Sequence, residues 1–385
     1  MTYRSISRFF PAALVFAATV AIAIGISYSD HAAASSERQA AVAELTTVAS
    51  GLHNPRGLNF APDGSLYVAE AAGDGTASSD CGVMGDASTK CSANTGSVTR
   101  IDLGSGESTR VLTGLPSLIA ATGNGSGGSG PQDVVFQGLG NGYVTIGLGG
   151  EPADREGYFG DAGAFYGRLV RFNPSGNLRF NEDIAGYEEE NNPDGFVPDS
   201  NPYGMAAIPG AVIIADAGGN DLLKVAANGT ISTLAVFPTF PNLPGLPGPP
   251  NVQAVSTSVA VGPDGAYYVG QLTGFPFIPG KANVFRVPAS GGDPEVVYDG
   301  FTNIIDVAFG PDGSLYVLEI AQNGIPNFGA GGRLVRIHPD GTQETVVSGP
   351  PLVAPGGVAV SRDGTVYLTN MSTSSTSGSV VRVDQ

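Results

Sequence analysis

GLNFAPDGSLYVAE, residues 57–70, decides the fold. It is a pair of short runs rich in Leu, Phe, Tyr and Val joined by a Pro-Asp-Gly turn, the pattern of a β-hairpin. The phrase returns as VAVGPDGAYYVGQ at 259–271, VAFGPDGSLYVLE at 307–319 and VAVSRDGTVYLTN at 358–370. Two looser copies, DVVFQGLGNGYVTIG at 133–147 and YGMAAIPGAVIIADAG at 203–218, bring the number to six. A third strand follows every hairpin: SVTRID, RLVRFN, DLLKVA, NVFRVP, RLVRIH and SVVRVD. Self-similar units of strand and turn, roughly 40–55 residues long, are what a radial β-propeller produces.

Fourth strands complete the units, as in TRVLTGL from Thr109, TISTLAVF from Thr230, PEVVYDG from Pro294 and QETVVSG from Gln343. The last unit lacks one, because its third strand ends at the chain terminus. ELTTVASGL at 44–52 resembles the missing strand and is expected to complete the sixth blade. The predicted fold is therefore all-β, a six-bladed β-propeller of four-stranded antiparallel blades over residues 44–385. Closing the ring this way removes the free sheet edges that invite aggregation.

The first 34 residues differ. Arg4 and Arg8 precede an apolar run at 9–26, and Ala32, Ala33 and Ala34 offer a small-residue cleavage site, as in an export signal. The run is also nearly long enough to span a bilayer, so an uncleaved anchor is the other reading. Residues 35–43 form a short linker. Either way the protein is expected outside the cytoplasm, secreted or held at a membrane.

The chain carries a net charge of −17, and losing residues 1–34 removes two basic groups and one acidic one, leaving −18. A surface this acidic repels nucleic acid and anionic lipid. Cys81 and Cys91 are the only cysteines, and in an exported chain their expected state is a disulfide, with a redox or metal role as the alternative.

A propeller blade places successive connections on opposite faces. The hairpin turns fall on one face. The long insertions at 71–96, 149–167, 272–282 and 321–331, with the links near 123–130, 186–201 and 238–253, fall on the other. Sites ride on loops held by a rigid scaffold, so a ligand is expected at this loop-rich face. Two polar rings lie near it. One, at the end of the second strands, contains Glu70, Asp216, Gln271, Glu319 and Asn370. Its Glu70, Asp216, Glu319 and Asn370 are metal candidates, with calcium or magnesium as the ion that suits oxygen ligands. The other, on the innermost strands, reads Gly57, Asp133, Gly204, Ser258, Asp306 and Gly357 and is expected to set Asp133 opposite Asp306 across the channel. Asn54, Arg56, Asp133, Asn201 and Asp306 are ligand-binding candidates. For both rings the competing reading is structural, with carboxylates and amides accepting backbone N–H bonds.

One basic residue recurs in every third strand: Arg100, Arg171, Lys224, Arg286, Arg336 and Arg382. These are expected to pair with the turn aspartates Asp63, Asp264, Asp312 and Asp363. Catalytic motifs are scarce, with no GxSxG elbow, HExxH pair, P-loop or dinucleotide fingerprint.

NPRGLNFAPDGSLYVAEAA, the paired cysteines before TGSVTRI, GPQDVVF with IGLGGEPADR, NNPDG with DSNPYG, ADAGGNDLLKV, VSTSVAVGPDGAYYVGQLTGFPF and GFTNIIDVAFGPDGSLYVLEI together resemble the ScyD/ScyE family over residues 45–384. That family is named for genes near those of the pigment scytonemin; the resemblance implies an exported propeller and supplies no catalytic residues. More distantly the repeat is similar to NHL repeats and to gluconolactonase-like (SMP-30) propellers, which hold an axial divalent metal with Glu, Asn and Asp; Glu70, Asp216 and Asn370 are comparable in chemistry. Two functions follow as expectations. One is an exported binding or scaffold propeller, monomeric, taking a small molecule, glycan or protein at its loop-rich face. The other is a divalent-metal hydrolase of the lactonase kind.

Overall fold

The structure is a computed structural model and describes residues 43–384 apart from 86, 139, 174, 175 and 326. The expected export segment lies outside the described residues. The described residues form one compact unit. Among the described residues no helix is long and apolar enough to cross a membrane.

Six antiparallel sheets form the blades. Blade one contains Pro55–Phe60, Leu66–Glu70, Thr89–Ile101 and Ser108–Ile119; blade two contains Pro131–Gln137, Asn141–Ile146, Arg168–Phe172 and Leu178–Asp183. Blades three to five repeat the order from Pro202, Ser256 and Ile304. Blade six contains Gly357–Val360, Val366–Asn370 and Gly378–Asp384, and Glu44–Leu52 adds its fourth strand with Glu44 opposite Asp384 and Leu52 opposite Gly378. Each innermost strand packs on the next, and the sixth packs on the first. The ring is closed by the amino-terminal strand.

The turn chemistry explains why the strands begin and end where they do. In four blades the Asp of the hairpin accepts the N–H two residues on, as in Asp63 with Ser65 at 2.9 Å and Asp312 with Ser314 at 3.0 Å. The Gly between them has positive φ, from 78° at Gly265 to 90° at Gly364, which only glycine adopts without strain. Alternate strand residues then face neighbouring blades. Leu66, Val68, Val144, Val269, Val317 and Leu368 are all fully buried there.

The recurring basic residue falls opposite the second strand in every blade, and in five of them it faces a tyrosine: Tyr67, Tyr143, Tyr268, Tyr316 and Tyr367. Arg286 pairs with Asp264 at 2.7 Å and Arg336 with Asp312 at 2.6 Å, while Arg100 stands 3.8 Å from Asp63. Arg382 departs from the expected pairing. It bonds Asp384, two residues along its own strand and hence on the same face, at 2.7 Å. Asp363 is instead taken by Ser361 and Thr365.

The insertions are more ordered than loops. The third strand of blade one extends upward to Thr89 and carries a short strand, Cys81–Val83, which the Cys81–Cys91 disulfide fastens to it. The 149–167 and 186–201 segments contain the helices Arg155–Phe159 and Ile184–Asn191, and the Pro-rich link makes a two-stranded ribbon of Phe240–Pro241 with Asn251–Val252.

Candidate ligand-binding site

The second-strand ring binds backbone. Glu70 is fully buried and accepts five bonds: from the His53 N–H at 2.6 Å, from Ser97 and Thr99, and from Arg110 on both oxygens at 3.1 and 2.9 Å. Glu319 accepts the Thr302 N–H and two Arg333 nitrogens, all at 2.7 Å. Asp216 accepts from Ser200, Asn201, Gly218 and Gly219, and the Asn370 oxygen accepts from Val353 and Met371. In every case the side chain fixes the link entering its own blade. The structure therefore does not bring these four metal candidates together; each oxygen is committed within one blade, because a strand-end carboxylate meets its own incoming N–H groups first.

Asp133 and Asp306 do share a cavity, an axial channel of about 300 Å³ lined only by innermost-strand residues. Each also binds backbone: Asp133 accepts from Val134 and Met205, and Asp306 from Val307 and Val358. Burial pushes both carboxyls up, Asp306 to about 7, and the Asp306 charge adds to the rise at Asp133. The glycine between them in the ring is required by space, since a Cβ at Gly57 would lie 2.1 Å from the Asp133 carboxylate.

Asn54 lines neither this channel nor the larger cavity on the loop face. It is fully buried with a φ of 46°, donates to the carbonyls of Ala72 and Gly125, and accepts from the Gly127 N–H. It fastens loops of the first blade.

Arg56 and Asn201, by contrast, line a cavity of about 1110 Å³ on the loop-rich face. Its walls come from the extended hairpin of blade one, the links into blades two and three, the Pro-rich ribbon and the 272–277 loop. Phe196, Phe275 and Phe277 form an apolar wall, Met84, Leu118 and Leu148 line it further, and Lys90 adds a cation. Phe196 and Phe275 are about half exposed, which for aromatic side chains around a concave surface is unusual without a partner.

Several polar groups in this cavity lack protein partners among the described residues. Arg56 donates through Nη2 to the Gly128 carbonyl at 3.0 Å, and its side chain also reaches the Tyr203 hydroxyl. The Gln132 Oε1, Asp199 Oδ1 and Asn201 Oδ1 are buried and unpaired among the described residues. Gln132 Nε2, Asn201 Oδ1 and Ser129 Oγ crowd one point, which a Cβ on Gly147 would approach within 2.6, 2.5 and 3.0 Å. Burial, with Asp216, Glu151 and Asp194 nearby, pushes the Asp199 carboxyl up to about 6, so it exchanges its proton near neutral pH. Burial also raises the Tyr203 phenol, keeping it a donor, although Arg56 opposes the rise.

Sequence reasoning found Arg56 and Asn201 and missed Gln132, Asp199 and Tyr203. Their signal was present in GPQDVVF and DSNPYG, where polar residues stand just before or at the start of innermost strands on the loop face. Arg110 and Arg333 were also missed as partners of Glu70 and Glu319, since neither occupies the basic position that recurs in all six blades.

No family model matches the chain, and no curated protein matches it. Solved structures do. A protein of unknown function from Bacteroides thetaiotaomicron aligns at a TM-score of 0.52 with 10% identity, over 88% of this chain and 76% of that one. A luciferin-regenerating enzyme aligns at 0.51 with 10% identity, over 89% and 95%. The PQQ-bound aldose sugar dehydrogenase of Streptomyces coelicolor aligns at 0.50 with 14% identity, over 90% and 100%. At such identities the likeness concerns the scaffold, which carries many unrelated activities.

Proposed function

We propose that the protein is an exported binding propeller that holds a small molecule in its loop-face cavity, with a ring-bearing apolar body on the Phe196, Phe275 and Phe277 wall and a polar head at Arg56, Gln132, Asp199, Asn201 and Tyr203. One observation carries the reading: three buried polar oxygens without protein partners, on Gln132, Asp199 and Asn201, stand with the Arg56 and Tyr203 side chains in the lining of a single cavity. A buried polar group left unpaired costs about 1–3 kcal/mol, so a fold that gathers several of them gains by meeting a complementary ligand. The head must both accept, from Arg56 and Tyr203, and donate, to the Gln132 and Asn201 oxygens. A cavity of this volume sits at the upper end of small-molecule sites, about 300–1000 Å³. The resemblance to the ScyD/ScyE family and the disulfide agree with export.

The test is saturation-transfer NMR with a defined panel of phenolic acids, aryl glycosides and aryl lactones, followed by calorimetry on the best binder. Arg56→Met and Tyr203→Phe are each expected to weaken it by tenfold or more, while an Arg171→Met control on the opposite face leaves it unchanged. Equal affinity in all four proteins would exclude this cavity as the site.

A further inference from the structure

We propose that blade three holds a calcium ion between Glu188, on the helix Ile184–Asn191, and Asp221, at the start of the strand Asp221–Ala226. Asp221 is fully buried, and both of its carboxylate oxygens are without a hydrogen-bond partner among the described residues. Glu188 is 2% exposed and its Oε1 is unpaired as well. The two carboxylates face the same side of Gly219, where an added Cβ would lie 3.1 Å from Glu188 Oε2 and 3.5 Å from Asp221 Oδ1. Two acidic side chains thus converge inside the protein with nothing to neutralise them.

The surrounding charge makes the deficit larger. Asp216 and Asp194 act on both carboxylates, and no arginine or lysine appears among the groups acting on either. Burial foremost, then these neighbours, pushes Glu188 up to about 8 and Asp221 well above its ordinary range. Protonation is the protein-only alternative, a neutral Asp221 sharing its O–H with the Glu188 carboxylate, and the metal titration below distinguishes it from a bound ion. Elsewhere in the ring the same problem has a protein solution: Arg110 answers Glu70 and Arg333 answers Glu319. Blade three has no such arginine.

The chemistry selects the ion. Every offered ligand is a hard oxygen. No three acidic, histidine or cysteine side chains among the described residues already stand at metal-ligand spacing. Asp221 and Glu188 therefore supply the charged ligands. The rest of the shell falls to neutral oxygens, backbone carbonyls and water, and the buried and unpaired Asn192 Oδ1 lies at the carboxyl end of the same helix. Calcium accepts six to eight mixed carboxylate, amide, carbonyl and water oxygens in flexible geometry, whereas magnesium demands a tight octahedron and dehydrates reluctantly. Holding Glu188 to Asp221 would tie the 186–201 link, which delivers Asp199, Asn201 and Tyr203 to the cavity, onto the body of blade three.

The experiment uses the purified protein stripped with a chelator and then titrated with CaCl2 or MgCl2, with elemental analysis and thermal unfolding read in parallel. Calcium is expected to bind at one ion per chain and to raise the midpoint by about 5 °C when present at ~100 times its dissociation constant, with magnesium giving less than half of that shift. Asp221→Asn and Glu188→Gln are each expected to lose the calcium response while melting, metal-free, at or above the stripped wild type, since each removes a buried charge. Identical midpoints in chelator and calcium with no retained ion, or an undiminished calcium response in either variant, overturns the proposal. If Asp221→Asn fails to fold, Glu188→Gln decides. These readouts are independent of panel binding at the cavity.

Discussion

Asp133 and Asp306 occupy equivalent positions in blades two and five, and each ties its innermost strand to that of the following blade: Asp133 accepts the Met205 N–H and Asp306 the Val358 N–H, both at 2.7 Å. The ring thus carries two equivalent clasps, both half-buried carboxylates lining an axial channel.

Their titration makes stability depend on pH. The folded value of Asp306, about 7, lies above the value near 3.9 expected of an unfolded Asp, so the folded state binds the extra proton. The contribution is present in full below the unfolded value and is lost as pH rises through 7. Between pH 5 and 8, in chelator, the unfolding free energy is expected to drop by about 2–4 kcal/mol, allowing for water in the channel. Asp312 works in the opposite direction only at lower pH, since Ser314 and Arg336 outweigh its burial and hold it at about 2. Denaturant titrations across this range test the claim, and an equal drop in Asp306→Asn would refute it.

Arg110 is the only cation bonded to the buried Glu70 among the described residues. Arg110→Ala leaves that carboxylate with hydroxyl and N–H donors and no counter-charge, at an expected cost of about 3 kcal/mol. The double variant Glu70→Gln with Arg110→Met is expected to be more stable than Arg110→Ala alone, because no charge is stranded. Urea unfolding of the three proteins measures this; a double variant no better than the single one would show that the charge is immaterial.

Gly57→Ala is expected to destabilise by about 2 kcal/mol, because the new Cβ would overlap the Asp133 carboxylate from the neighbouring blade. In an Asp133→Ala background the same change should cost clearly less, since only the residue-133 Cβ, 3.0 Å away, is left to crowd the new methyl. The coupling between the two sites, read from a double-mutant cycle, is the quantity to determine.

The Cys81–Cys91 bridge closes a short loop whose neighbours Met84, Ser88 and Lys90 line the cavity. Replacing both cysteines by serine is expected to lower stability by no more than about 3 kcal/mol. Ligand affinity should fall more than global stability, since the bridge fastens a flap and not the ring. Hydrogen exchange confined to residues 81–91 would support this, whereas exchange spread through all six blades would contradict it.

The architecture was legible because a propeller is built from local events repeated. GLNFAPDGSLYVAE and its copies specify a hairpin through period-two burial and an Asp-Gly turn, and ELTTVASGL identifies itself as a fourth strand by likeness to the others. The recurring basic residue was legible for the same reason, and Arg382 departs from the expected turn pairing because Asp384, two residues along its own strand, lies on the same face. The polar rings were located correctly but their partners were not. Which donors reach Glu70 depends on Arg110, one strand further out, and on the His53 N–H of the incoming link.

The amino-acid order by itself determined the number of blades, their register and the closure of the ring, since each depends on neighbours within one hairpin or on a pattern that repeats. Only the tertiary structure decided what the loops enclose. Arg56, Gln132, Tyr203 and Phe275 belong to four different blades, and Glu188 meets Asp221 across a loop that has no counterpart in the repeat. Insertions carry no periodicity, so the contacts they make are fixed by the rigid body that brings their ends together.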